Sequence, residues 1–191
     1  EDGLGKEPVQ LTKNNDTYIR TFSWSPDAKK LVYTDRQNRI CLLDVASKQK
    51  KVLLLDPLGE PREVSFSPDS KWLTYTRTSE NDFSIVYVYN LETQKEYAVT
   101  DQWYSSSSPV FSTDGKYLIF SSARDFNPTY GQTEWNHVYT RMNGVYLALL
   151  RQDTPSPFLE EDDEVTVQTT ESTKEETPEE DTSVRIDIDG I

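Results

Sequence analysis

A four-residue phrase that recurs at nearly constant spacing constrains the fold of this chain more than any other feature. Residues 24–27 read Trp-Ser-Pro-Asp, residues 66–69 read Phe-Ser-Pro-Asp, and residues 111–114 read Phe-Ser-Thr-Asp. The phrases begin 42 and then 45 residues apart, and self-similarity with that period is typical of propeller blades or solenoid units. The sequence therefore predicts a repeat protein rather than a single ordinary globular domain.

Each repeat carries the pattern of several short β-strands. A strongly β-prone run follows each phrase, and further runs rich in β-branched and aromatic residues come after it. The run that precedes and enters each phrase is the first predicted strand of its repeat. The second predicted strands lie at 31–34, 72–76 and 117–121, the third at 39–44, 85–90 and 144–150, and the fourth at 51–54 and 96–100. Four short antiparallel strands per repeat describe one propeller blade. The predicted fold class is all-β: a β-propeller fragment of about three four-stranded antiparallel blades, followed by an acidic disordered linker.

The phrase itself has the composition of a tight turn between the first two strands. Proline presets φ for the second turn position, and aspartate can accept a hydrogen bond from the backbone two residues on. The residue that follows is Gly115 in the third repeat, but Ala28 and Ser70 in the first two. A left-handed backbone would cost those two residues about 1 kcal/mol each. We therefore expect looser turns in the first two repeats.

The negative charge of the chain is concentrated at its C-terminal end. Residues 1–150 hold 17 Lys or Arg against 19 Asp or Glu, whereas residues 151–191 hold 3 against 14. No basic patch is available to neutralise phosphates, so nucleic acid is not an expected partner. No apolar run approaches the roughly 18 residues of a membrane span, so none is expected.

These patterns divide the chain into four parts. Residues 1–17 are predicted to be the end of a preceding blade and its link, because Val-Gln-Leu-Thr at 9–12 matches Tyr-Ala-Val-Thr at 97–100. The remaining predicted parts are three blades within 18–158 (18–55, 60–100 and 103–158), an acidic disordered linker over 159–183, and the first strand of a following domain over 184–191. A propeller normally closes with about four to eight blades. We therefore expect part of a larger propeller, with self-association through open blade edges.

A long loop in the third repeat holds the best candidates for binding. About 20 residues, 123–143, separate its second and third strands, and loops of that length are usually functional or disordered. The aromatic content of this loop argues against disorder. The residues that mix aromatic and hydrogen-bonding groups, and are predicted to bind peptide, are Arg124, Asp125, Tyr130, Trp135, Asn136 and His137. In the alternative interpretation, Arg124 and Asp125 pair with each other or with the backbone and only fix the loop.

No set of residues in the chain has the pattern of a catalytic or metal site. A serine hydrolase needs a base beside its nucleophile. The single histidine, His137, is interpreted first as a residue that packs in the loop, then as a pore-lining contact, and last as a base. No Gly-x-Ser-x-Gly sequence accompanies it, and the serine run at 105–108 is interpreted as a link into the third blade. Cys41 lies in an apolar strand and is predicted to be structural. We predict no catalytic residue, no metal and no cofactor.

The repeats resemble those of known propellers. The Ser-Pro-Asp turns within blades of about 42 residues resemble the WD40-like, TolB-type (PD40) repeats over residues 18–150. The loop at 122–130 with Thr-Glu-Trp-Asn-His at 133–137, and Asp-Thr-Pro-Ser-Pro-Phe at 153–158, look like the N-terminal propeller of tricorn-type serine proteases. Residues 184–191 look like the beginning of the second propeller in those proteins.

The resemblance implies a large peptidase of the S41 class, in which two propellers precede a PDZ-like module and an α/β catalytic core. In that family the propellers filter and guide peptides, and the catalytic serine, histidine and oxyanion hole lie in C-terminal domains that no part of this chain matches. The implied partners are peptides or unfolded polypeptide and the remaining domains of the same protein. Two alternatives stay open: a stand-alone TolB-like interaction propeller, and the gating propeller of a prolyl-oligopeptidase-type hydrolase.

Overall fold

A computed structural model of the chain describes residues 7–13, 15–132, 136–159 and 183–190. Within these ranges the chain forms thirteen β-strands and one short 3-10 helix. The strands assemble into two four-stranded sheets, one three-stranded sheet and one two-stranded sheet, and every strand pair is antiparallel. The architecture is all-β, as the repeated phrase predicts.

The first two sheets are complete blades in which each strand pairs with the next along the chain. The first contains β1 (Ile19–Trp24), β2 (Lys30–Asp35), β3 (Arg39–Asp44) and β4 (Lys50–Leu55). The second contains β5 (Arg62–Phe66), β6 (Trp72–Thr78), β7 (Ser84–Asn90) and β8 (Lys95–Ala98). Both have the order first-second-third-fourth, so the predicted four-stranded repeat is confirmed for these two blades.

The third blade differs in two ways. Its sheet contains β9 (Ser106–Phe111), β10 (Tyr117–Ser122) and β13 (Gly144–Leu149), in the order β13-β10-β9. Between β10 and β13 the chain forms a separate two-stranded ribbon of β11 (Pro128–Tyr130) and β12 (His137–Tyr139). Among the described residues no fourth strand pairs with β13.

The turns of the three phrases are alike, so the prediction of looser turns in the first two repeats is wrong. The residue after each aspartate is left-handed, with φ of 55° at Ala28, 61° at Ser70 and 69° at Gly115. In all three, its N–H donates to the carbonyl oxygen of the serine of the phrase at 2.9–3.0 Å. Glycine is therefore not required for this geometry.

The side chains of the phrase explain why alanine and serine tolerate the strained position. Ser25 Oγ donates to Asp27 Oδ1 at 2.6 Å, and the same carboxylate oxygen accepts the N–H of Lys29 at 3.1 Å. Ser25 Oγ also accepts the N–H of Lys30 at 2.9 Å. The other two phrases repeat this arrangement. These bonds define the turn independently of the residue at the left-handed position and offset its cost.

The blades pack face to face through two apolar clusters. The cluster between the first and second blades contains Val32, Ile40, Phe66, Leu73, Tyr75 and Tyr89. The cluster between the second and third blades contains Trp72, Val86, Val88, Phe111, Leu118, Phe120, Leu150 and Val184. Strand β7 contributes to both, because successive side chains point to opposite faces of a strand. It is covered by a neighbour on each side, as its near-continuous apolar sequence indicates.

The face of the first blade that points away from the second is partly open. Trp24 is 47% exposed, whereas Phe66 and Phe111, which hold the same position in the next two phrases, are 8% and 6% exposed. Leu11 lies on this face against Tyr33, Cys41 and Leu43. Cys41 is buried as predicted, and burial raises the pKa of its thiol.

The terminal parts of the chain depart from the sequence prediction in one respect. Residues 183–190 were expected to contain a strand, but they form extended coil that ends in a 3-10 turn at Ile188–Gly190. The expected strand is wrong because Val184 is buried on the second and third blades instead of pairing in a ladder. The disordered linker predicted over 159–183 falls almost wholly outside the described residues. That residues 1–17 belong to a preceding blade stays a prediction.

Candidate functional site

The ribbon of β11 and β12 is the part of the third blade that the repeat does not account for. Its register pairs Pro128 with Tyr139, Thr129 with Val138, and Tyr130 with His137. The N–H of Gly131 donates to the carbonyl oxygen of Asn136 at 2.7 Å and continues the pairing beyond the strands. The long loop of the sequence is therefore an ordered hairpin over its described residues.

One face of the ribbon presents a row of aromatic rings, which we call the aromatic stripe: Phe126, Tyr130, His137 and Tyr139. The ring centroids of Tyr130 and His137 are 4.9 Å apart, those of His137 and Tyr139 are 6.4 Å apart, and those of Phe126 and Tyr139 are 6.1 Å apart. The Phe126, Tyr130 and Tyr139 side chains are each more than half exposed. The stripe is thus a continuous aromatic surface that faces solvent rather than a neighbouring blade.

An open groove of about 920 Å³ lies at the base of the ribbon. Its walls are formed by the two segments that connect the ribbon to β10 and β13. The lining residues are Arg124, Asp125, Phe126, Asn127, Thr140 and Arg141. Phe126 belongs to both the groove and the aromatic stripe, so polar and aromatic surfaces are continuous here.

Arg124 and Asp125 are held by contacts within the third blade. The Arg124 guanidinium lies 5.2 Å from the ring centroid of Tyr146 and 5.9 Å from that of Tyr104. Its Nε donates to Ser122 Oγ at 3.3 Å. The N–H of Asp125 donates to the carbonyl oxygen of Met142 at 3.1 Å. These contacts fix the base of the ribbon to the third blade.

The structure brings five of the six sequence-predicted site residues to this one ribbon and its base. They are Arg124, Asp125, Tyr130, Asn136 and His137; Trp135 lies outside the described residues. Sequence reasoning missed Phe126, Tyr139 and Arg141. The signal for Tyr139 was present, because it follows His137 by two residues and a strand places such residues on the same face.

The serine run that enters the third blade has a structural use. The carboxylate of Glu63 accepts the N–H of Ser108 at 2.6 Å and the Ser108 hydroxyl at 3.1 Å, which joins the innermost strands β5 and β9. Ser106 and Ser122 share a hydrogen bond of 3.0 Å between their hydroxyls. Ser105 Oγ accepts the N–H of Ser84 at 3.3 Å. These bonds connect the second and third blades or close the third sheet.

A polar network that the sequence did not reveal links the first two blades. Arg77 Nε donates to Asp56 Oδ2 at 2.8 Å, and Arg77 Nη1 donates to Glu96 Oε2 at 2.7 Å. The Tyr75 hydroxyl donates to Glu96 Oε1 at 2.6 Å, and burial, followed by the nearby Glu96 charge, raises the pKa of Tyr75. The Asp56 side chain is fully buried. This network holds the connection between the first and second blades against β6 and β8.

In the described ranges no group of three or more His, Cys, Asp or Glu residues is placed so that it could hold a metal ion. No helix in the described part of the chain has the length and apolar character needed to span a membrane.

Stacked antiparallel blades that share the same turn between their first and second strands define a fragment of a β-propeller. The chain belongs to the family described as the tricorn protease second β-propeller domain, whose model matches residues 2–191. The family predicted from the Ser-Pro-Asp repeats and the loop residues is therefore confirmed. The matching description is that of the second propeller, whereas the sequence resemblance indicated the N-terminal one.

Curated relatives carry the same family name. Tricorn protease homolog 1 of Streptomyces coelicolor is 27% identical over 134 residues, which cover 70% of this chain and 13% of that protein. The putative tricorn-like protease C-terminal subunit of Sulfurisphaera tokodaii is 28% identical over 148 residues, which cover 78% of this chain and 17% of that protein. The chain thus spans less than a fifth of the length of these relatives.

Solved structures confirm the fold. The crystal structure of the tricorn protease superimposes with a TM-score of 0.70 at 19% identity, covering 76% of this chain and 15% of that one. The crystal structure of TolB from Acinetobacter baumannii superimposes with a TM-score of 0.53 at 25% identity, covering 70% of this chain and 34% of that one. The chain is therefore a propeller portion of a tricorn-like protein.

Proposed function

We propose that this chain is a non-catalytic propeller portion of a tricorn-like protease that guides peptides toward a catalytic centre elsewhere in the protein. The observation that carries the proposal is the aromatic stripe, which faces solvent on a ribbon outside the blade repeat. Binding sites for peptides combine exposed apolar or aromatic surface with a few polar groups. The groove at the base of the ribbon supplies those polar groups next to Phe126.

The geometry of the ribbon suits an extended peptide. A two-stranded sheet has one unpaired edge on each strand, and such edges can hydrogen-bond the backbone of an added strand. Alternate side chains of that peptide would then meet the rings of Tyr130, His137 and Tyr139, since these lie on one face. Backbone pairing is independent of sequence, so this mode of binding accepts many peptides.

We expect the ribbon to bind a peptide weakly, as suits a site that passes the peptide on rather than holding it. Aromatic contacts contribute about 0.5–1.5 kcal/mol each beyond area burial, and a short ribbon offers few of them. A peptide that is guided toward another domain must also dissociate. A weak site with several similar contacts allows it to move on.

The catalytic step is assigned to other parts of the protein. The relatives whose names include protease are about six to eight times longer than the segment matched here, by the shares of 13% and 17%. The single histidine lies among tyrosine rings of the stripe. This is an environment for packing or stacking, and it supports a binding role for His137.

The proposal is tested with fluorescein-labelled ten-residue peptides that contain Leu and Pro, measured by fluorescence anisotropy. We expect saturable binding that Tyr130→Ala combined with Tyr139→Ala weakens about tenfold, because two lost aromatic contacts are worth about 1.4 kcal/mol. Tyr18→Ala is the matched control, since Tyr18 is an exposed tyrosine outside the ribbon. It should leave the affinity unchanged.

The same samples are analysed by mass spectrometry to follow the peptides. Intact peptides after long incubation are the expected result for a non-catalytic portion. Cleavage by this chain would overturn the assignment of catalysis to other domains. Binding of folded proteins but of no peptide would overturn peptide guidance and favour an interaction propeller of the TolB type, the fold shared at a TM-score of 0.53.

A further inference from the structure

Residues 183–190, which we call the strap, lie against the second and third blades. Val184 is buried in the cluster that also contains Trp72, Leu118 and Leu150. Its N–H donates to Asp69 Oδ2 at 2.9 Å, and Asp69 belongs to the Ser-Pro-Asp turn of the second blade. One end of the strap is therefore fixed by both an apolar contact and a backbone hydrogen bond.

The strap is fixed again at the third blade. The N–H of Asp187 donates to the carbonyl oxygen of Leu150 at 2.8 Å, and Asp187 Oδ2 accepts the N–H of Gln152 at 3.0 Å. Ile186 and Ile188 pack against the same cluster as Val184. The alternation in the sequence thus buries one face of the strap without forming a ladder.

The position of Leu150 in the repeat identifies the place where the strap docks. The N–H of Leu150 donates to the carbonyl oxygen of Lys116 at 3.0 Å. Val45 and Leu91 make the same bond to Lys29 and Lys71 at 2.9 Å in the first two blades. Each of these residues immediately follows the third strand of its blade. In the first two blades the turn to the fourth strand comes next, and in the third blade the strap contacts this point.

We infer that the strap is an integral part of the third blade, docked in the groove between the turn ends of the second and third blades. On this reading, residues 160–182 are an insertion in the connection that follows β13, rather than a linker to a following domain. The inserted stretch holds eleven acidic residues and one lysine. In the strap, the alternating apolar residues Val184, Ile186 and Ile188 form the face that packs on the cluster. This inference rests on contacts separate from those of the ribbon and does not depend on the proposed function.

The strap and the ribbon lie at opposite ends of the third sheet. The strap docks at the end of the sheet where Tyr117 pairs with Leu149, whereas the ribbon leaves at the end where Ser122 pairs with Gly144. The six-residue strand β10 spans about 17 Å between these ends. The described residues that flank the insertion, up to 159 and from 183, therefore belong to the side of the blade opposite the ribbon.

The test cuts the insertion without touching the strap. A recognition sequence for a site-specific protease, Glu-Asn-Leu-Tyr-Phe-Gln-Gly, is inserted after Thr170, and the chain is cleaved and passed over a size-exclusion column. We expect the C-terminal fragment to co-elute with the blades. In a chain that also carries Val184→Asp, the fragment should separate after cleavage. Val167→Asp, the same change within the insertion, is the matched control and should leave co-elution intact.

Amide hydrogen exchange on the uncut chain keeps the inference testable if the cleaved variants fold poorly. The amides of Val184 and Asp187 should be protected, and Val184→Asp should remove that protection while β2 and β3 stay protected. Separation of the wild-type fragment after cleavage would overturn the inference. So would exchange of the Val184 and Asp187 amides at the rate of an unstructured chain.

Discussion

The backbone N–H of Asp27 donates to Oγ of Ser70 at 3.3 Å, so the turn of the first blade bonds directly to the turn of the second. Asp27 is the last residue of the first repeated phrase, and Ser70 immediately follows the second. Ser70 occupies the left-handed position of its turn. Ser70 thus makes a bond between blades from a strained backbone position. Ala28, at the same position in the first blade, has no hydroxyl with which to do so.

This difference predicts that glycine has different effects on stability at the two left-handed positions. Ala28→Gly should raise the free energy of unfolding by about 0.5 kcal/mol, because it relieves the left-handed strain at a small cost in unfolded-state entropy. Ser70→Gly relieves the same strain but loses the bond to Asp27, so its net effect should be smaller or destabilising. Urea denaturation of both variants measures the difference. Equal stabilisation by the two substitutions would show that the bond between the turns contributes nothing.

The Arg77 network predicts a large loss of stability on removal of its cation. Arg77→Leu would leave the buried Asp56 carboxylate and Glu96 without their partner, and breaking a buried pair from one side typically costs about 3–5 kcal/mol. Since Arg77 and Glu96 retain some exposure, we expect the lower end, about 3 kcal/mol. Arg141→Leu, on the exposed rim of the groove, is the matched control and should change stability by less than about 0.5 kcal/mol. A loss of similar size in both variants would contradict the role of the network.

The blades could be predicted from the sequence because their signals are local. Each phrase specifies a turn and therefore the two strands that the turn connects. The alternation of apolar and polar residues then indicates which face of each strand is buried. The Arg77 network could not be predicted, because Asp56, Arg77 and Glu96 are far apart in the chain and lie in different elements.

The two failed expectations have the same origin. The cost of a left-handed alanine alone predicts a looser turn at Ala28, but the hydrogen bonds that Ser25 and Asp27 make determine its shape. The alternation of apolar and polar residues in the strap predicts a strand, but alternation specifies only that one face is buried. Docking of Val184 on the cluster between the second and third blades satisfies the pattern without a strand.

At the ribbon, the sequence singled out the loop that departs from the repeat but not the surface that the loop presents. Aromatic content and length singled out residues 123–143. Which of these residues face solvent depends on the register of Tyr130 with His137, which the sequence did not specify. Arg124 is the clearest case, since its stacking between Tyr104 and Tyr146 brings together residues from three parts of the third repeat.

The phrase also predicts how the turns respond to acid. The hydrogen bond from Ser25, followed by that from the Lys29 backbone, lowers the pKa of Asp27 below its ordinary value of 3.8, and Ser112 does the same for Asp114. A carboxyl group whose pKa is depressed in the folded state stabilises the fold above the unfolded pKa. That contribution is lost as the pH falls through the folded value. The relevant window therefore lies below about pH 4.

In that window the aspartate variants should respond less to acid than the wild type. Asp27→Asn and Asp114→Asn should be less stable at pH 7, and their free energies of unfolding should converge toward that of the wild type as the pH falls from 4 to 2. Urea titrations at each pH measure this convergence. Parallel curves for the wild type and both variants would mean that these carboxylates titrate alike in the folded and unfolded chains.

The open face of the first blade predicts concentration-dependent self-association of this chain. Phe22 and Trp24 are substantially exposed, although Phe66 and Phe111 show that the position of Trp24 is one that blades bury. Contiguous exposed apolar surface of this kind promotes association. Multi-angle light scattering over a range of concentrations should therefore show an apparent mass that rises for the wild type. Trp24→Glu should suppress this rise, while Tyr18→Glu, at an exposed tyrosine just before β1, should not.

A wild-type chain that stays monomeric at millimolar concentration would show that the face is stable in water, and equal suppression by both variants would show that association is not specific to it.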